Sequence, residues 1–306
     1  MKTILITGSS GFIGGSLVER LLEIKNINII ATYNKKKPNL KFKNKKIKFI
    51  KIDLNIKKSF NQLPDKIDII YHTAAIRDSF LSNMRANRQI FENFNITQNL
   101  IDFSIKIKCK YFIYLSSVYI YSGSPKKKFI ENQVSTPIES LGLSKYICET
   151  ILKKTSYDYN FKCFSFRLFT AYGSNSSQNQ LIPSVLKKIY SKQDTIKFGN
   201  PFIKREFIYI DDVLDVLIDS INKIKKIDNF ESFNLGSGES LSVKTAIKKI
   251  IKISNMKKKL VFKENNFSRI GDTNHQGDFK KIKAFFKWQP KITFEEGIMK
   301  IIDKKY

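Results

Sequence analysis

The chain is poor in the residues that build metal centres and disulfide frameworks. Its 306 residues include three cysteines and two histidines. Cys109, Cys148 and Cys163 are scattered without ligand spacing, and their odd number does not suit a secreted disulfide scaffold. His72 and His275 alone argue against a zinc site, and no metal is expected. No apolar run approaches the roughly 18 residues that a membrane span needs, so no membrane partner is expected. The first residues pass at once into an apolar strand pattern, which leaves no room for a signal peptide. The expected compartment is the cytoplasm. Arginine is scarce too: seven of the 55 basic residues, the rest being lysine, in a chain of formal charge +28. Lysine runs such as 35–37, 126–128 and 257–259 stand between apolar segments, and lysine, isoleucine and asparagine are abundant throughout. That distribution reads as a solvated basic surface set by coding bias, so no nucleic-acid partner is expected. An anionic small substrate would gain from the field. At 42% hydrophobic residues, the chain can bury a sizeable core in one large or two closely joined domains.

What is present is concentrated at the start. Residues 4–14 read ILITGSSGFIG. Ile4, Leu5 and Ile6 form a buried-strand pattern. Gly8 permits the tight turn, Gly11 a close backbone approach to a pyrophosphate, and Gly14 close packing of the following helix on the strand. Leu17, Val18, Leu21 and Leu22 follow at helical spacing. The helix N-terminus offers free N–H groups and a positive dipole end to phosphates. The pattern predicts dinucleotide binding through Gly8, Ser10, Gly11, Phe12, Ile13 and Gly14.

Strand and helix patterns then alternate. Strands are expected at 26–32, 46–54, 68–75, 111–117 and 162–168, with helices at about 85–107 and 140–154. Repeated βα units of this kind predict an α/β fold, a doubly wound parallel sheet with its ligand at the carboxyl ends of the strands. Beyond Tyr172 the pattern loosens, and Pro183, Pro201 and Pro290 punctuate short mixed elements. The expected division is a dinucleotide-binding domain over 1–172 and a smaller, mainly substrate-binding lobe over 173–306, with segments at about 205–235 returning to the main domain.

The ordered motifs resemble the extended short-chain dehydrogenase/reductases, the NAD-dependent nucleotide-sugar epimerases and dehydratases, over nearly the whole chain. TGSSGFIG matches that family's cofactor fingerprint. Asp53-Leu54 matches the pair that meets the adenine, and HTAA (72–75) the strand end beside the cofactor, with Ala74 and Ala75. NFNITQNL (93–100) matches a family helix beginning at Asn93, although Ile96 stands where glycine is usual. LSSVYIYSG (115–123) matches the strand bearing Ser116 and the catalytic Ser or Thr, here Ser117. RLFTAYG (167–173), REFIYIDDV (205–213), FNLGSGES (233–240) and the Arg269/Asp272 segment match the substrate-lobe landmarks. The resemblance implies hydride transfer between a nicotinamide and a sugar carbon. It also implies a nucleotide-sugar substrate, and a homodimer formed through the helices near 85–107 and 140–154.

The chain departs from the family at one decisive place. PIESLGLSKYICE (137–149) keeps Gly142, Ser144, Lys145 and Glu149, but Leu141 occupies the slot of the catalytic tyrosine, one helical turn before Lys145. Leucine moves no proton. Three readings stay open. The reaction has been lost and the ligand sites kept, as in a pseudoenzyme that binds NAD(P) or a nucleotide sugar. Or another acid/base acts, such as Tyr119, Tyr146 or a water held by Ser117 and Lys145. Or position 141 was altered deliberately. Val118 and Tyr119 stand where 4,6-dehydratases carry Asp-Glu, which disfavours dehydration and leaves epimerisation or 4-keto reduction. Arg205 and Arg269 fall where the family clamps the nucleotide diphosphate. Thr170 stands where an asparagine often contacts the sugar-nucleotide. The slot where NAD-preferring relatives carry an acid is Thr32, followed by Tyr33, Asn34 and Lys35. No carboxylate repels a 2′-phosphate there, so NADP is expected over NAD. His72 is expected to be a fixed strand-end residue, and Cys148 and Cys163 to be core.

Overall fold

A computed structural model describes residues 1–38, 45–77, 83–121, 128–262 and 274–305. In chain order the elements are β1 (Lys2–Thr7), α1 (Phe12–Leu22), β2 (Ile27–Tyr33), β3 (Ile47–Lys51), β4 (Ile69–His72), α2 (Asn83–Lys106), β5 (Tyr111–Ser117), α3 (Ser140–Asp158), β6 (Lys162–Leu168) and β7 (Thr170–Tyr172). They continue with α4 (Leu181–Ile189), β8 (Thr195–Phe198), β9 (Lys204–Tyr209), α5 (Ile210–Lys223), β10 (Phe230–Leu235), β11 (Ser240–Ser242), α6 (Val243–Ser254), β12 (Lys259–Phe262), α7 (Lys280–Phe286) and α8 (Phe294–Lys305).

The chain forms two compact units, residues 1–121, 134–167 and 214–233 in the first and the remainder in the second. A seven-stranded sheet runs in the order β10-β6-β5-β4-β1-β2-β3. From β3 through β2, β1 and β4 to β5 its pairings are parallel, with Ile4 opposite both Ile29 and Ile69. The chain winds outward from β1 to β3, then crosses back to β4 and winds the other way. The reversal lies between β1 and β4, where a ligand cleft opens at the carboxyl ends of such a sheet. The expected doubly wound α/β fold is what the chain adopts. Apolar strands such as ILI (4–6) and II (69–70) are buried on both faces, as helices covering a parallel sheet require. One side of the core gathers Leu5, Ile30, Ile70, Leu100, Phe112 and Leu152, with Cys148 and Cys163 fully buried among them.

In the second unit β11, β9 and β7 form a three-stranded sheet, parallel between β7 and β9 and antiparallel between β9 and β11. β12 and β8 pair in parallel separately. Tyr172 packs there edge to face on Phe207 and Tyr209, and Phe294 packs at a tilt on Tyr172 and Phe207.

Candidate active site

The turn after β1 is shaped by backbone geometry. Gly8 has φ +72°, and a Cβ there would stand 2.7 Å from the Ala74 Cα. Only glycine combines that conformation with that approach. The Gly11 amide donates to the Gly8 carbonyl at 2.9 Å, and Gly15 to Gly11 at 2.9 Å, so the turn passes directly into α1. Ser9 fixes the turn laterally, its amide and its hydroxyl both donating to the Thr32 carbonyl at 3.0 and 2.9 Å. The cap residue of α1 is Gly11, with no side-chain cap and no acid in the first turn. The helix end, with Gly11 exposed and Phe12 and Ile13 half-buried, is therefore suited to an anion.

Around this turn the other expected cofactor residues divide. Thr32 is buried, while Asn34 and Lys35 lie exposed just beyond β2, as does Ser10 on the turn. The Asp53 carboxylate accepts the Asn55 amide at 3.0 Å, and Leu54 turns into the core. Ala74 packs its backbone on Gly8 and donates its amide to Thr7 Oγ1 at 3.3 Å; Ala75 is exposed. Buried Asn93 acts as a bracket. Its Oδ1 accepts the Ile76 amide at 2.7 Å, and its Nδ2 donates to the Ile76 carbonyl and to Ser144 Oγ, both at 3.1 Å. One side chain thus ties the segment after β4 to α2 and α3.

His72 is held at both nitrogens, Nδ1 at 2.8 Å from Thr7 Oγ1 and Nε2 at 3.0 Å from Thr97 Oγ1. Thr97 donates its own proton to the Asn93 carbonyl, so it accepts from Nε2–H and Thr7 donates to Nδ1. Burial, then the nearby Lys145 charge, push the imidazole down to about 3. A neutral, doubly bonded histidine is a structural strand-end residue.

At the end of β5, Ser117 Oγ accepts the Tyr119 amide at 3.3 Å and caps the short turn 118–120. Used as an acceptor in that bond, the hydroxyl keeps its own proton available to donate. Gly142, in the first turn of α3, meets this turn at the closest approach in the site: a Cβ there would lie 2.0 Å from the Tyr119 carbonyl oxygen. Leu141, half-buried, precedes Gly142, and its carbonyl accepts the Ser144 hydroxyl at 2.8 Å. Lys145, one turn on, is 6% exposed. Its Nζ donates to the Leu115 carbonyl at 2.7 Å and lies 4.6 Å from the Tyr114 ring centre. Burial lowers this amine to about 8, with Cys148 and Glu149 opposing and Arg77 adding to the effect. Between Leu115 and Ser117, the Ser116 hydroxyl is buried without a hydrogen-bond partner. Such a hydroxyl costs free energy unless something else fills the site. Tyr146 is exposed.

One cluster went unnoticed in the sequence. Glu149 and Arg167, both buried, form an ion pair at 2.8 Å; Ser165 Oγ donates to Glu149 Oε1 at 2.8 Å, and Arg167 Nη1 to the Tyr121 hydroxyl at 2.8 Å. Both charged residues stand in recognisable motifs, but no spacing rule links positions 18 apart on a helix and a strand.

In the second unit Thr170 lies on β7 and Arg205 on β9, both half-buried and in one sheet. Arg205 Nη1 donates to the Lys204 carbonyl at 3.0 Å. The neighbouring Glu206 carboxylate is buried and accepts the amides of Gly277 at 2.6 Å and Gly238 at 3.0 Å. Burial pushes it up to about 7 against those two bonds. Arg269 and Asp272 lie outside the described residues. Among the described residues there is no cluster of metal-ligating side chains, and no helix is long and apolar enough to cross a membrane.

Residues 4–236 match the model of the NAD dependent epimerase/dehydratase family. The chain belongs to that family. It is 30% identical over 97% of its length to an uncharacterised protein of Methanocaldococcus jannaschii, of which it covers 94%. Human dTDP-D-glucose 4,6-dehydratase is 26% identical over 99% of the chain and 89% of the human protein. The fold matches the crystal structure of a Thermotoga maritima UDP-glucose 4-epimerase with UDP-glucose, at a TM-score of 0.86, 24% identity and coverage of 98% and 97% of the two chains.

Proposed function

We propose that this family member binds a nicotinamide dinucleotide in its first unit and a nucleotide sugar, and that it works as an epimerase or 4-keto reductase slowed by Leu141. The observation that carries the reading is the end of β5: Lys145 is drawn onto the Leu115 carbonyl, with Ser117 two residues on. The residues present fit the cofactor. The glycine turn leaves no room for a Cβ, the end of α1 is uncapped and free of acid, and Ser116 buries an unpartnered hydroxyl nearby along β5. The α1 end would take the pyrophosphate, Asp53 and Leu54 the adenine side, and Lys145 the nicotinamide ribose. Bound there, the cofactor supplies hydride transfer to or from a sugar carbon.

The chain's own task is the proton that accompanies the hydride. Ser117 orients the sugar oxygen, and Lys145 provides positive charge beside it. Leu141 supplies no acid or base where one is needed, which costs about 10²–10⁴ in rate. Val118 and Tyr119 offer no carboxylate for elimination of water, so this chain is read apart from its dehydratase relatives. The absence of an acid at Thr32 and the exposed Lys35–Lys37 favour NADP over NAD. Arg205 and Arg269 would hold the diphosphate, with Thr170 beside the sugar. The exposed aromatic rings of Phe91 on α2 and of Tyr146 and Tyr157 on α3 suit a homodimer through those helices. Leu141 also favours a second reading, a non-catalytic binder of the same ligands.

Mass spectrometry of ligand released from the purified protein, with calorimetric titration of NADPH, NADH and UDP-, dTDP-, GDP- and CDP-sugars, tests the reading. Binding of a nicotinamide dinucleotide and of one nucleotide sugar is expected. Failure to bind any dinucleotide overturns both readings.

A further inference from the structure

The buried ion pair Glu149–Arg167 touches none of the proposed ligand positions, yet it carries a dense set of hydrogen bonds at α3. Glu149 stands one helical turn beyond Lys145, on the same face. Arg167 closes on it from β6 through Nε and Nη2, at 3.2 and 2.8 Å to Oε2, and Ser165 adds a third donor to the carboxylate. On its other side Arg167 donates to the Tyr121 hydroxyl and lies over that ring, 5.2 Å from its centre. Tyr121 ends the turn that Ser117 begins, its amide donating to the Val118 carbonyl at 3.1 Å. The cluster therefore joins three things: the helix carrying Lys145, the strand β6, and the turn carrying Ser117.

We propose that Glu149 and Arg167 are positioning residues for Lys145. The ion pair sets how readily the lysine amine keeps its proton, and the Arg167–Tyr121 bond anchors the turn that presents Ser117. The physical ground is the balance of two buried charges. At short range in a poorly hydrated interior, the Glu149 carboxylate favours the Lys145 ammonium, and the Arg167 guanidinium, packed against that carboxylate, cancels part of the effect. Removing the acid leaves an uncompensated cation near the amine; removing the arginine leaves an uncompensated anion. The two changes must move the lysine in opposite directions. Among the described residues, the other groups facing Lys145 are Cys148 on its own helix, the Tyr114 ring on β5, neutral His72 on β4, and Arg77 in the segment after β4. None of them changes charge when the pair is altered at neutral pH.

The full-length protein, labelled with [ε-15N]lysine, reports the Lys145 midpoint by NMR, the signal being assigned by its loss in Lys145→Met. Glu149→Gln is expected to lower the midpoint by about one pH unit and Arg167→Met to raise it by a similar amount. The neutral pair Glu149→Gln with Arg167→Met should return it close to the starting value. Glu149→Asp, Arg167→Lys and Tyr121→Phe keep the charge balance and should leave it in place. A merely structural pair would lower the unfolding temperature without this opposed pattern. The proposal is overturned if both single variants move the midpoint the same way, or if neither moves it. Should Arg167→Met fail to fold, the comparison of Glu149→Gln with the double variant decides, since the double variant buries no unpaired charge. Its midpoint must then lie above that of Glu149→Gln, and an equal or lower value refutes the proposal.

The functional weight of the cluster rests on reading Lys145 as a ligand of the cofactor ribose. The pH dependence of NADPH binding should then follow the NMR midpoints variant by variant. If the NMR midpoints move as stated while NADPH affinity does not follow, the ribose assignment fails and the positioning of Lys145 stands.

Discussion

Gly142→Ala sets two effects against each other, and the structure decides which wins. In an exposed helix the change would stabilise by about 0.5–1 kcal/mol, because alanine loses less backbone freedom on folding. Here the added methyl would stand 2.0 Å from the Tyr119 carbonyl oxygen, 2.7 Å from its carbon and 3.2 Å from Pro137 Cβ. Good contact lies near 3.5 Å, so backbone has to give by about 1.5 Å. The obstacle is a carbonyl in a turn capped by Ser117 rather than the end of a flexible side chain. Overpacking of this kind costs about 1–3 kcal/mol and exceeds the propensity gain. The expected result is a net loss of about 1–2 kcal/mol in urea unfolding followed by circular dichroism. NADPH affinity should fall about tenfold, because the first turn of α3 leads to Lys145 and is pushed off the strand end; tenfold corresponds to about 1.4 kcal/mol. A variant as stable as the parent, or more stable, would refute the contact between α3 and the 118–120 turn and with it the geometry of the site.

Other outcomes follow from single groups. Cofactor affinity should fall as pH rises through about 8, where the buried Lys145 amine loses the proton with which it would grip the ribose, and Lys145→Met should lose both the affinity and its pH dependence; calorimetry across pH 6–9.5 checks both. His72→Phe leaves the hydroxyls of Thr7 and Thr97 short of their shared partner and should cost about 1–3 kcal/mol in unfolding, with little change in any pH–rate profile, since His72 is already neutral. Arg205→Ala should weaken nucleotide-sugar binding by about 1.5–3 kcal/mol and leave NADPH binding nearly intact, a charge-assisted bond to phosphate being lost. Tighter binding of NADH than of NADPH would remove the argument from the acid-free end of β2.

Much of the first unit was legible in the sequence because its signals are local. ILI (4–6) is a short apolar run that fits a buried parallel strand, and KCFSFRL (162–168) forms a strand buried along most of its length. The glycine at position 8 announced a turn that the positive φ of the structure requires. The two ends of the 111–117 strand pattern fall where β5 begins and ends. The second unit was less legible: its strands β7 and β11 have three residues each and alternate too briefly to show a period. Within the site, identities could be read and partnerships could not. Asn93 opens a motif that is plain in the sequence, but its three bonds to Ile76 and Ser144 depend on how α2 meets α3. Glu149 and Arg167 were each noted without any sign that they form one buried pair. Long-range pairs of this sort are fixed by topology, and one sequence carries no marker for them.

An otherwise intact nucleotide-sugar site that lacks one proton-transfer group should be repaired by Leu141→Tyr. Gly142, Ser144 and Lys145 follow that position in the order the family motif requires, and Leu141 is only half-buried. Steady-state turnover of the parent and the variant would be measured on the nucleotide sugar that calorimetry identifies, with NADPH or NADH as bound. A slow parent and a gain of about a hundredfold or more on restoring the phenol are expected. A parent already as fast as the restored variant would contradict this, and would place the proton transfer on a group other than the one missing at position 141.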